Sequence, residues 1–171
     1  MLMKINEHFL SALIFILPAY IANASAVIFH GKKPIDFNKT FLDGKRVFGS
    51  NKTIEGFAGG FLCGLLIAII EGLILDKNNI FLFFLLGILT SLGALLGDLF
   101  GAFIKRRLVL APGFPLPFMD QLDFVYGALI ISYPFLKLDL NALFFIFLFT
   151  PLLHLITNSV AYLLKLKKFW W

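Results

Sequence analysis

Asp98, Asp120 and Asp123, with Lys105, Arg106 and Arg107 between them, are all the charged residues of the stretch Gly97–Asp123. Asp120 and Asp123 stand three apart, on one helical face if a helix starts near Asp120. Like charges that close repel, and a divalent cation or an arginine reverses the repulsion. Hard cations that travel with nucleotide phosphates are typically held by one or two carboxylates, phosphate oxygens and water completing the shell. Asp98 sits seven residues before Lys105 in an apolar run, so Asp98, Ala102 and Lys105 share a face, Asp98 about 10 Å deeper along the axis. An acid at that depth costs a few kcal/mol unless a cation or water serves it, which makes it a functional candidate first and a packing ion pair second. A second polar cluster, Gly49-Ser50-Asn51-Lys52-Thr53, precedes another apolar run. Exposed N–H groups at a helix start, joined by a lysine and a hydroxyl, suit an anion. It is no P-loop, because the Lys-Thr pair comes late after Gly44 and Gly49 and no strand precedes it. His8, His30 and His154 are scattered and propose no metal site. The chemistry these residues fit is phosphate handling assisted by a divalent cation.

The elements that position them belong in a bilayer. Of 171 residues, 60% are hydrophobic and 15% charged, where a soluble domain carries about a quarter charged. Five apolar segments are predicted, near 9–29, 54–75, 80–104, 122–136 and 142–164, most of them near the roughly 20 residues that cross a membrane. The fourth is short enough to be tilted or partly embedded. No composition break divides residues 1–171, so a single polytopic, all-α membrane domain is expected. Twelve of the fifteen Lys and Arg residues fall on one side of a five-span arrangement; only Lys4, Lys77 and Lys137 fall on the other. The positive-inside rule then puts the amino terminus outside, and both long loops and the carboxyl terminus in the cytoplasm. The N-x-Ser/Thr triplets at Asn23, Asn38 and Asn51 are therefore discounted as glycosylation sites. The small residues Ala22–Ala26 imitate a leader-cleavage site, but Lys32-Lys33 follows the apolar run instead of preceding it, which favours a retained helix. Gly56, Gly60 and Gly64 make one stripe of small residues, and Gly93, Gly97 and Gly101 another. Both read as close helix–helix packing, expected to bring the cytoplasmic ends of segments two and three together. Pro112, Pro115 and Pro117 stiffen the loop that returns Asp120 and Asp123 toward Asp98.

At these clusters the chain resembles the CTP-dependent cytidylyltransferases of phospholipid synthesis. Lys52-Thr53-Ile54-Glu55-Gly56 with Gly60 is similar to the K-T-x-E-G-x-x-x-G stretch of CDP-diacylglycerol synthases. Ala102-Phe103-Ile104-Lys105-Arg106 followed by Asp120-Gln121-Leu122-Asp123 is similar to their S-x-hydrophobic-K-R…D-R-x-D signature, with Ala102 in place of serine. The K-D and H-G-G elements before the last acids are absent. The form present, G-D-x-x-x-x-F-I-K-R-R-L…P-x-x-D-Q-L-D-F, resembles the archaeal CDP-archaeol synthases, although Val109 stands where a glycine is expected. The resemblance implies transfer of CMP from CTP to 2,3-di-O-geranylgeranylglyceryl phosphate at the cytoplasmic side of the cell membrane. It assigns Asp98, Asp120 and Asp123 to Mg2+, and Lys105, Arg106 and Arg107 to phosphates. Asn51, Lys52, Thr53 and Gln121 fall to substrate binding. CTP, an isoprenyl-ether lipid phosphate and the bilayer are the expected partners; no nucleic acid is expected.

Two other classes fit parts of the sequence. A small transporter would use Asp98 as a proton or cation relay, but such proteins show internal repeats and midplane breaks, whereas the polar groups here gather at one surface. A scaffold holding anionic headgroups with its basic loops explains the lysines and leaves the three acids without a role. A phosphatidate-type cytidylyltransferase is the nearest enzymatic alternative.

Overall fold

The computed structural model describes residues 2–110, 114–135 and 138–166, with side chains from Glu7 onward. Pro112, Lys137, Lys167 and Lys168, all used in the sequence reading, lie outside the described residues, as does the side chain of Lys4. Five helices follow one another: α1 (Leu2–Ile28), α2 (Ile54–Leu75), α3 (Ile80–Arg107), α4 (Met119–Ser132) and α5 (Leu140–Leu163). No strand occurs among the described residues, only the isolated bridges Pro34–Thr53 and Thr40–Arg46. Four helices (α1, α2, α3 and α5) are long and apolar enough to cross a membrane. The protein is a multi-pass, all-helical membrane protein.

α4 is the short one. Its 14 residues span about 21 Å, against roughly 30 Å of hydrocarbon. A 3₁₀ turn, Tyr133–Phe135, extends it. Asp120 at its start meets Lys105, from the last turn of α3. Asp139, the N-cap of α5, meets His8 Nδ1 near the start of α1 at 2.7 Å. The chain from Asp120 to Asp139 therefore travels the height of the bundle although the α-helix alone falls short of it.

The α2 glycine stripe lies between α1 and α3, and the α3 stripe packs on α4. The α2 stripe closes on α1: a Cβ at Gly56 would stand 2.7 Å from the Ala26 carbonyl oxygen, and one at Gly64 2.6 Å from that of Pro18. The α3 stripe closes on α4: a Cβ at Gly93 would lie 2.5 Å from the Gly127 carbonyl oxygen, and one at Gly97 or Gly101 would run into Asp123. The α2 stripe meets α3 as well: a Cβ at Gly64 would run into the Ser91 hydroxyl, and one at Gly60 would stand 3.2 Å from Leu95 Cδ2. The same line of α2, continued through Ala68 and Gly72, packs on Gly87 and Phe83 of α3. Their site ends are also joined by side chains, as described below. Ala22 and Ala26, the leader-like residues, form the surface on which α2 closes, so α1 is part of the bundle.

The core is built of small residues, Ala12, Ala19, Ala94, Ala128 and Ala142, with Ile16, Phe124, Val125 and Ile146 filling between them. In lipid, packing of this kind replaces the hydrophobic drive. Three buried hydroxyls bond to carbonyls of their own helices: Thr90 donates to Leu86 O at 2.7 Å, Ser132 to Ala128 O at 2.6 Å and Thr150 to Ile146 O at 2.5 Å. Tyr20 adds an α1–α5 tie through a 2.7 Å bond with Thr150.

Candidate active site

Lys52 and Asp98 are the meeting point. The Lys52 ammonium donates to both oxygens of Asp98, at 2.6 and 2.5 Å, and joins the entry of α2 to α3 about two-thirds of the way along it. Lys52 is held in place by the backbone: its carbonyl accepts Ile35 N at 2.8 Å, and the next residue bridges to Pro34. Burial alone would lower the Lys52 pKa; the carboxylates of Asp98, Asp123 and Asp120 outweigh it and raise it. All three predicted acids thus act on one cation. Sequence reasoning named both residues of the pair without pairing them, because their spacing of 46 positions carries no local signal.

Asp120 pairs with the Lys105 ammonium and accepts the Leu116 N–H at 3.0 Å; Lys105 also donates to Phe114 O at 3.0 Å. The α3–α4 loop is therefore tied down at its described end by side chains from both helices. Asp123 lies on the next turn, one carboxylate oxygen accepting Phe124 N at 2.7 Å and the other resting where Gly101 lacks a side chain. Gly101 makes room for a functional group, a role beyond helix packing. Gln121 stands between the two acids, half-buried in the first turn of α4.

The loop between α1 and α2 folds around a residue the sequence reading missed. The Asp36 side chain is fully buried, and it accepts Arg46 at 2.5 Å and the backbone N–H groups of Asn38, Phe48 and Gly49 at 2.9–3.1 Å. Burial would raise its pKa, but Arg46 and those three N–H groups more than offset it and hold it at about 2. Its only sequence signal is that it is one of two acids, with Asp43, in a loop rich in lysine. Asp36 fixes Gly49 in the left-handed region, φ 102°, and the Gly49 turn leans on the Arg106 side chain. Between them lies a cleft of about 300 Å³ lined by Lys45, Arg46, Gly49, Ser50, Arg106 and Leu110. Lys45, Arg46 and Arg106 give it a cationic wall.

Asp36→Asn should lower the stability of this loop by about 2 kcal/mol, because a charged acceptor of several hydrogen bonds is lost. Faster amide exchange at Asn38, Phe48 and Gly49 is the expected readout. The sign with pH follows from a depressed folded-state pKa: the stabilisation is present above the ordinary carboxylate range and is lost as pH falls toward about 2.

Two residues predicted to touch substrate are occupied with architecture. Arg107 donates to Arg46 O at 2.6 Å, pairs with Asp43 at 3.1 Å and lies over the rings of Phe41 and Phe103 at 5.0 and 4.7 Å. Thr53 is the N-cap of α2, its hydroxyl accepting Gly56 N at 3.2 Å and Gly31 N at 3.1 Å. Asn51 is exposed beside Ser50. Val109, where a glycine was expected, has φ 61°. That conformation costs a β-branched residue roughly 1–2 kcal/mol, which accounts for the expectation. Val109→Gly should raise thermal stability by up to about 1 kcal/mol, the gain being reduced by glycine's freer unfolded chain.

Among the described residues, no three His, Cys, Asp or Glu side chains form a ready-made metal cage. Of the oxygen-only donors, Asp98 and Asp120 are each paired with a lysine ammonium, and Asp123 lies one turn along α4 from Asp120. A membrane bundle with acids on two helices, lysines interleaved and a cationic cleft alongside defines an intramembrane enzyme for phosphorylated substrates. The family described as "CarS-like: CDP-archaeol synthase" matches residues 4–171, and the chain belongs to that family. The CDP-archaeol synthase of Methanococcus aeolicus is 44% identical over 171 residues, 95% of this chain and 96% of that one. That of Pyrococcus furiosus is 45% identical over 163 residues, 95% of this chain and 98% of the relative. A solved intramembrane enzyme of archaeal membrane lipid biosynthesis superposes with a TM-score of 0.80 at 38% identity, covering 88% of this chain and 94% of its own.

Proposed function

We propose that the chain is a CTP-dependent lipid cytidylyltransferase that forms CDP-archaeol and pyrophosphate. The observation that carries this is the pairing of Lys52 with Asp98 and of Lys105 with Asp120 beside a cationic cleft, in a member of the CDP-archaeol synthase family. An oxygen of the lipid phosphate attacks the α-phosphorus of CTP. The bond to the bridging oxygen of the β-phosphate breaks, and pyrophosphate leaves with the electron pair. No general base is required, since a phosphate monoester is already ionised near neutral pH.

Positive charge is what the residues supply. Each lysine ammonium has three N–H donors, and the bonds of Lys52 and Lys105 described above use two apiece, leaving one to offer a phosphate oxygen. Arg106 and the cleft lysine and arginine face the leaving pyrophosphate. Preorganised cations of this kind stabilise charge that develops in the transition state. Asp98, Asp120 and Asp123 fit Mg2+, which is commonly held by one or two carboxylates with phosphate oxygens and water rather than by an all-protein cage. When bound, Mg2+ neutralises charge on the phosphates. Arg107 and Thr53 act as positioning residues, holding the loop and the α2 entry, and Asn51 and Gln121 are placed to meet the nucleotide. The prenyl chains of an unsaturated archaetidic acid would lie between the spans, open to lipid.

In this reading the chain is one domain of five crossings in the cell membrane, α4 completing its passage through the turn and connection to Asp139, with the site facing the cytoplasm. Cysteines introduced at Lys39 and Pro112 are expected to be shielded from an impermeant reagent applied outside, whereas one at Asn78 reacts. Labelling of positions 39 and 78 from one side contradicts the topology. The function is tested with purified protein, CTP and two lipid phosphates, acyl and isoprenyl-ether. A CDP-lipid from the ether substrate is expected; product from the acyl substrate alone would reassign the enzyme to the phosphatidate type.

A further inference from the structure

The hairpin inside the α1–α2 loop carries apolar side chains that the proposed chemistry does not use. Its arms are joined at the Thr40–Arg46 bridge and by Val47 N–Lys39 O at 3.1 Å. At its tip Leu42 is 96% exposed, and Phe37 and Phe41 are exposed beside it. A leucine so uncovered on a loop this well tied is not loosely placed; it is presented.

What it is presented to follows from where the hairpin is anchored. Phe41 packs edge-on against Phe103 at 5.2 Å, and Arg107 lies over both rings. Phe103 and Arg107 continue the line of Leu96 and Phe100 on α3, spaced as residues of one helical face. Leu96 and Phe100 are exposed, the glycine stripe beside them being taken by α4 and other faces by the bundle. That line is the lipid-facing side of α3, and the hairpin is folded over its end. Its height is set by the same contacts: Phe41 stands level with the last two turns of a membrane span, where the Lys105–Arg107 cations mark the headgroup layer. The charges agree. Asp43 is neutralised by Arg107 at 3.1 Å and faces Lys45 at 4.0 Å, while Lys39 is exposed.

We propose that the Thr40–Arg46 hairpin is a membrane-surface anchor that seats Leu42 among the lipid headgroups and upper acyl chains of an anionic leaflet. An apolar tip flanked by lysines is the combination that binds such an interface. The opposite arm of the same hairpin supplies Lys45 and Arg46 to the cationic cleft. Contact with lipid at the tip therefore fixes one wall of that cleft. This last link rests on the function proposed above; the membrane contact does not.

The test uses full-length protein carrying Cys63→Ser, with Leu42→Cys spin-labelled, in vesicles containing anionic phospholipid. Lys32→Cys, also exposed in the loop, serves as the aqueous reference. The label at 42 is expected to collide severalfold more with dissolved oxygen, relative to a water-soluble nickel complex, than the label at 32. Equal ratios would show a tip in water and overturn the proposal. So would a label at 42 shielded from both reagents, which would mean burial against protein, such as a second copy of the chain. A second variant, Leu42→Asp, leaves every described packing contact intact. With that wall of the cleft loosened, it should raise KM for CTP severalfold while KM for a vesicle-borne lipid phosphate stays unchanged. If the depth result holds and this KM does not move, the anchor stands and its link to the cleft fails.

Discussion

Asp98→Asn is expected to reduce turnover by two or more orders of magnitude, roughly 3 kcal/mol or more of transition-state stabilisation. The amide keeps the size of the side chain and removes the charge that a metal and Lys52 require. Its effect on folding should be smaller. Lys52 and Asp98 retain 29% and 21% side-chain exposure, so loss of the pair costs less than the roughly 3–5 kcal/mol of breaking a fully buried one. Asp120 and Asp123 still act on the Lys52 charge. Adding Lys52→Gln separates the two roles. If the pair were only structural, the double variant would recover both stability and activity. The expected outcome is recovery of the thermal midpoint with activity still lost, read on one preparation by thermal unfolding and cytidylyl transfer.

The second large effect concerns the backbone. Gly97→Val places a branched side chain where the Asp123 carbonyl oxygen already stands, and Gly127 of α4 lies against the same point. Neither neighbour is the flexible end of a side chain, so relief requires α4 to move. Overpacking of this kind costs about 1–3 kcal/mol, and here it also shifts Asp120 and Asp123 away from Asp98. Stability and activity should fall together, with no rescue by excess Mg2+. Leu96→Val, one residue earlier on the lipid-facing side, is expected to change stability by no more than about 0.5 kcal/mol. Thermal midpoints of the two variants in the same detergent check the contrast.

These expectations show what a linear reading reaches. Helices were legible from apolar runs, and the cations at Lys105–Arg107 marked the end of α3, which runs through Arg107 and not to Ile104. The carboxylates stood out because acids are rare in apolar context. Partners were not legible. The two glycine stripes look alike in sequence, yet one is wedged between α1 and α3 and the other closes on α4, since a small residue announces close approach without naming what approaches. Lys52–Asp98 joins residues 46 positions apart, and Asp36 buries an acid in a loop that looked merely basic. Arg107 showed its charge in sequence, but not that the charge is engaged by Asp43, two aromatic rings and a carbonyl. Val109 is conspicuous only against the glycine of the family pattern, and its φ of 61° gives that pattern a physical cause.

The most direct measurement follows the two ends of the triphosphate. Purified protein with Mg2+ and an isoprenyl-ether lipid phosphate is supplied with CTP labelled either in its α-phosphate or in its γ-phosphate. The α-label is expected to appear in a CDP-lipid and the γ-label in pyrophosphate, in equal amounts. Both should cease with excess chelator and resume when Mg2+ is restored. Release of γ-label as inorganic phosphate without any α-labelled lipid, or full turnover in excess chelator, would contradict CMP transfer at the Asp98–Asp120–Asp123 site.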